Sequence, residues 1–149
     1  MVQQLRHREF IGYQVYMAQR ALAKNLDATL APFGLTSGQW NALNQLEENG
    51  AMTQRELAEL LKKEQATVAR LIDRLVKRGF VKRTPHPSDR RANIVENTPE
   101  ASALLVRVEP VAVASTEAIA AGLSDEELAV FFDVLGRVRS NALAAIGEE

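Results

Sequence analysis

Cysteine is absent from this 149-residue chain, which excludes disulfides, thiolate metal sites and thiol-based redox sensing. Histidine occurs only twice, as His7 and His86, far apart in sequence. A metal site would therefore need carboxylate-dominated ligation, which nothing in the sequence organises, and no metal or other cofactor is expected. There is no glycine-rich phosphate loop, no Gly-x-Ser-x-Gly elbow and no thiol nucleophile, so an enzyme is not expected. No apolar run approaches the roughly 18 residues of a membrane span. The N-terminus carries Arg6 and Arg8 but no apolar stretch behind them, unlike a secretory signal. The expected location is the cytoplasm.

The composition is that of an ordinary globular chain, 46% hydrophobic and 25% charged. The net charge of −1 argues against nucleic acid, but its distribution argues for it. Ten of the 18 Lys and Arg residues lie between Lys62 and Arg91, beside only three acids, Glu64, Asp73 and Asp89. That segment carries +7 and the remainder −8. A concentrated basic patch is the electrostatic footprint of phosphate binding. The alternative is a helical protein-interaction module whose basic segment binds an acidic partner. Salt-dependent, sequence-selective binding to a duplex separates the two.

The patch falls on a recognisable order of elements. Residues 3–31 read as a long helix, with Ile11, Val15, Leu22, Leu26 and Leu30 at helical spacing, ended by Pro32 and Gly34. Thr36-Ser37-Gly38-Gln39 and Thr53-Gln54-Arg55-Glu56 are capping boxes that open two further helices. A break near Lys62 precedes a helix from about Gln65 to Arg78, stopped by Gly79. The period then changes: residues 80–84 and 92–96 read as short strands around the polar loop 85–91. Thr98 and Pro99 start another helix, and Pro110 is expected to kink it. Ser124-Asp125-Glu126-Glu127 starts the last, which contains Phe131, Phe132, Leu135 and Val138. The fold class is mainly α with a small β-hairpin wing: a winged helix-turn-helix lobe (35–97) between dimerisation helices (1–34 and 98–149).

On a helical wheel, Val68, Leu71, Ile72, Leu75 and Val76 form one stripe of the 65–78 helix, facing a core. Ala66, Thr67, Arg70, Asp73, Arg74 and Lys77 fall on the opposite side. Small residues at the start of such a face let a helix approach base edges in the major groove, while long cations further along reach phosphates. Gln65, Ala66, Thr67 and Arg70 are the expected readers, with Arg70 suited to guanine O6/N7. Arg74 and Lys77 are expected at the backbone. Asp73, awkward on such a face, should pair with a neighbouring arginine. Arg90 and Arg91 at the hairpin tip suit a narrow minor groove. Asp89 is expected to stiffen the tip, through a pair with an arginine on the simplest view.

The run from Met52 to Val95 resembles the MarR/SlyA regulators, whose pattern is a Thr-Val-x-Arg-Leu-x-x-x-Leu-x-x-x-Gly helix followed by an Asp-x-Arg wing. Thr67, Val68, Arg70, Leu71, Leu75, Gly79 and the pair Asp89/Arg91 stand at those positions. Residues 35–46 are similar to the family's second helix and 122–138 to its last. The resemblance implies a dimer with interleaved terminal helices, repression of target promoters and release by small, frequently aromatic, ligands. Lys62 stands where the family often has glycine, Asn97 where leucine is usual and Ala101 where glycine is usual. A left-handed Lys62 would cost about 1 kcal/mol. The apolar surface of the outer helices independently suggests a two-fold dimer, which a palindromic operator would match. Tyr13, Tyr16, Phe33 and Trp40 are the candidate lining of an effector pocket, although packing alone would also account for them.

Overall fold

The structure is a computed structural model that describes the backbone of residues 2–148 and the side chains of residues 10–148. Six α-helices and three short strands succeed one another among the described residues. Helix α1 (Val2–Leu30) ends in a single 3-10 turn, Ala31–Phe33, where Pro32 removes a backbone donor and Gly34 turns left-handed at φ 64°. Helix α2 (Ser37–Asn49) and helix α3 (Gln54–Leu61) both begin at their expected capping boxes. Thr36 Oγ1 accepts from the Gln39 N–H at 3.2 Å while Gln39 Oε1 accepts from the Thr36 N–H at 3.1 Å. Such reciprocal bonds satisfy donors that a helix start otherwise orphans.

Helix α4 (Gln65–Lys77) follows α3 through a left-handed Lys62 at φ 50°, ψ 45°. The Lys62 N–H reaches Glu59 O at 3.2 Å and the Lys63 N–H reaches Ala58 O at 3.1 Å. This is a Schellman closure, built here on a lysine rather than glycine. Gly79, at φ 76°, closes α4 in the same way, with Gly79 and Phe80 donating to Val76 and Leu75.

Strands β2 (Val81–Pro85) and β3 (Asn93–Asn97) form the hairpin, each displaced by one residue from the sequence expectation. A third strand, β1 (Met52–Thr53), has no counterpart in the sequence reading. It pairs Met52 with Val95 and Thr53 with Ile94, giving the antiparallel order β1-β3-β2. Helix α5 (Pro99–Ile119) continues past Pro110, and helix α6 (Asp125–Ala144) starts at the Ser124 capping box.

The chain forms two compact units, one extending to Ser115 and the other beginning at Thr116. The core lies in the first. Val68, Ile72 and Leu75 of α4 are fully buried with Leu43, Leu57, Val95, Ala101 and Val108, while Leu71 and Val76 pack at its edge. The α1 stripe divides: Leu30 is buried and Leu26 half-buried, but Ile11, Val15 and Leu22 remain exposed. In the second unit α6 buries no residue at all, and Phe131 and Phe132 stand edge to face, their ring centroids 5.6 Å apart.

Candidate nucleic-acid interface

Burying one stripe of α4 turns its opposite side outward. Gln65, Ala66, Thr67, Arg70, Asp73, Arg74 and Lys77 are all exposed. Arg90 and Arg91 are exposed on the hairpin loop, within the same compact unit. Among the described residues, no ion pair or side-chain hydrogen bond occupies Arg70, Arg74, Lys77, Arg90 or Arg91.

Other cations of the basic segment serve the fold. Arg83 on β2 pairs with Asp73 on α4 at 2.6 Å, so the expected arginine partner of Asp73 comes from the wing strand, ten residues away. Lys82 Nζ lies 3.7 Å from Glu96 across the hairpin. Arg78 donates to Gly34 O and, at 3.3 Å, to Gln39 Oε1, with its guanidinium 4.9 Å from the centre of the Phe80 ring. It fastens the end of α4 to the junction between α1 and α2. Asn97 donates to Leu43 O at 2.9 Å and to Glu47 at 2.8 Å, and Ser102 donates to the same carboxylate. The Asn97 amide thus ties β3, and the Ser102 hydroxyl ties α5, to α2 through polar contacts.

Within the loop Asp89 bonds to the backbone rather than to an arginine side chain. Its Oδ1 accepts from the Arg91 N–H at 2.9 Å, and no ion pair joins it to an arginine among the described residues. The His86 N–H closes the loop onto Ala92 O at 3.0 Å. Beside the loop lies an open cleft of about 320 Å³ lined by Thr53, Arg55, Gln65, His86, Asp89 and Arg91, among others. Glu56 accepts from the Thr53 N–H at 2.8 Å and from its hydroxyl at 2.9 Å. These bonds, the backbone one foremost, hold its carboxyl below the ordinary carboxylate value; burial opposes them slightly and His86 assists.

The four aromatics divide. Tyr13 and Tyr16 are each 55% exposed on α1, with Arg20 5.7 Å above the Tyr16 ring. Phe33 and Trp40 are half-buried against the core, and Arg107 lies 5.9 Å from the Phe33 ring.

A capped helix, a tight turn, a second helix with an open polar face and an adjoining hairpin define a winged helix-turn-helix DNA-binding protein. Residues 35–92 match the family model described as MarR family. The chain is 34% identical over 119 residues to an uncharacterised HTH-type transcriptional regulator, YwoH of Bacillus subtilis, covering 80% of this chain and 86% of that one. It is 30% identical to the multiple antibiotic resistance protein MarR of Salmonella typhimurium over 63% of this chain and 65% of that one. The fold matches a mutant MarR of Escherichia coli complexed with operator DNA with a TM-score of 0.80, at 26% identity, over 87% of this chain and 95% of that one. It also matches Bordetella bronchiseptica BpsR, whose structure concerns regulation of DNA binding by 6-hydroxynicotinic acid. There the TM-score is 0.78 at 26% identity, over 87% of this chain and 98% of that one. The chain belongs to the MarR family and is a DNA-binding transcriptional regulator. These likenesses do not favour the acidic-partner module.

Proposed function

We propose that two copies of the chain bind a palindromic operator and repress the genes behind it, each copy placing α4 in a major groove and its wing in the adjacent minor groove. The observation that carries this reading is the open face of α4. Small Ala66 and Thr67 precede the unpaired cations Arg70, Arg74 and Lys77, while Arg83 neutralises the one carboxylate among them. Gln65, Ala66, Thr67 and Arg70 read base edges; Arg74 and Lys77 hold phosphates; Arg90 and Arg91 enter the minor groove; Asp89 shapes the loop. The protein acts in the cytoplasm, as a regulator without catalytic activity.

Two-fold assembly is supported by the apolar surface that one chain leaves open. Phe10, Ile11, Val15 and Leu22 on α1, and Val130, Phe131 and Phe132 on α6, are each more than 40% exposed. Exposed apolar surface on this scale marks an association surface. Release by a small aromatic acid is supported by what BpsR responds to and by Tyr13 and Tyr16 on α1, Phe33 on the turn after it and Trp40 on α2.

Footprinting on the chain's own promoter region, followed by titration of that site and a scrambled duplex over a salt series, tests the reading. A symmetric protected site and a large operator preference are expected. Equal binding to both duplexes would overturn it, as would a stable monomer in sedimentation at micromolar concentration.

A further inference from the structure

Hairpin loops of this kind have little apolar surface to order them, so polar contacts must do so. Here His86 supplies most of them. Its Nδ1 accepts from the Asp89 N–H at 3.1 Å and the Ser88 N–H at 3.2 Å, and Ser88 Oγ lies 3.3 Å away. Two backbone donors converging on one ring nitrogen make Nδ1 the acceptor of the loop. Asp89 takes the next donor, the Arg91 N–H, and its carbonyl takes the Ala92 N–H at 3.1 Å. The inward work of the loop thus falls to His86 and Asp89. The exposed guanidinium groups of Arg90 and Arg91 take no part in it.

We propose that His86 is a positioning residue for DNA binding: its Nδ1 holds the turn that presents Arg90 and Arg91 to the duplex. This rests on the reading of the wing as a DNA contact. The charged groups around the ring are Arg55 and Glu56 of α3 and Asp89 and Arg91 of the loop itself. Cations pull on any duplex alike, so the operator-to-scrambled ratio is the quantity that reports loop order.

Full-length wild type, His86→Ala, His86→Asn, His86→Phe and Arg91→Ala suffice to test this. His86→Ala should speed amide exchange at Ser88 and Asp89 and weaken operator binding, each by about threefold to tenfold for two lost hydrogen bonds. His86→Asn, whose side-chain carbonyl reaches the same amides as an Asx turn, should restore both; His86→Phe should restore neither. Unchanged exchange in His86→Ala, or rescue by phenylalanine, overturns the proposal. So does faster exchange with wild-type operator affinity while Arg91→Ala binds weakly. If Arg91→Ala itself binds like wild type, the wing is not a DNA contact, and the proposal falls with that reading.

Discussion

Arg83 Nη2, on the first wing strand, stands 2.6 Å from Asp73 Oδ1, on the outward side of α4. The pair joins the wing to the helix it accompanies and cancels a negative charge on the face proposed to meet DNA. Arg83 is the more enclosed partner, its side chain 28% exposed against 53% for Asp73. Replacing Arg83 with methionine should cost about 0.5–1 kcal/mol in urea denaturation, in keeping with a pair that water still screens. The same variant should bind operator and scrambled duplex less well, because Asp73 is then uncompensated. Asp73→Asn should do the opposite on scrambled DNA.

Arg70 and Arg74 share a face one turn apart, and their distance from the helix start is the basis of the different roles proposed for them. Arg70→Ala should cost about 1–3 kcal/mol on operator and relax preference at one base pair per half-site. Arg74→Ala should weaken both duplexes alike and lower the salt slope by about one per protomer. Titrations on both duplexes at several salt concentrations decide between them. Equal losses for Arg70→Ala would reduce it to a phosphate clamp.

At the wing, Arg91→Ala should weaken binding most on A·T-rich flanks, where the minor groove is narrow. Asp89→Ala removes the acceptor of the Arg91 N–H rather than a partner of its guanidinium. Its loss should therefore be smaller and should appear with faster exchange of the Arg91 amide.

Lys62 occupies a conformation that glycine enters freely. Lys62→Gly should raise stability by about 0.5–1 kcal/mol in urea, with the slope of the transition unchanged. If stability falls instead, the lysine's side chain contributes more than its backbone costs.

Glu56 has its carboxyl lowered by the capping bonds to Thr53. Its contribution is fully present above the ordinary carboxylate value and is lost as pH falls through the lower, folded value. Glu56→Gln keeps an acceptor for the Thr53 N–H but not the charge. Thermal melts below about pH 5 should accordingly show a shallower acid decline for the variant than for wild type.

What could be read in advance was local. Thr36/Gln39, Thr53/Glu56 and Ser124/Glu127 are contacts three residues apart, so the capped starts of α2, α3 and α6 follow from composition at fixed spacing. The buried and outward sides of α4 follow from its period. The two-residue β1 was invisible because its partners, Val95 and Ile94, lie over forty positions away and no alternation fits so short a strand. Arg78 looks like one more cation of the patch, yet its contacts with Gly34, Gln39 and Phe80 turn it to the fold. Which arginine would reach Asp73 depended on hairpin register. His86 looked like an isolated histidine because its partners are backbone amides, and these leave no mark in side-chain identity.

The small sheet has a central strand, β3, and two edges of very different kinds. One edge is only two residues long. The other is β2, which carries the charged Lys82 and ends at Pro85, which lacks a donor. Neither offers a template for a strand from another molecule. A DNA-binding regulator of this build can thus be concentrated on a duplex without its hairpins pairing edge to edge.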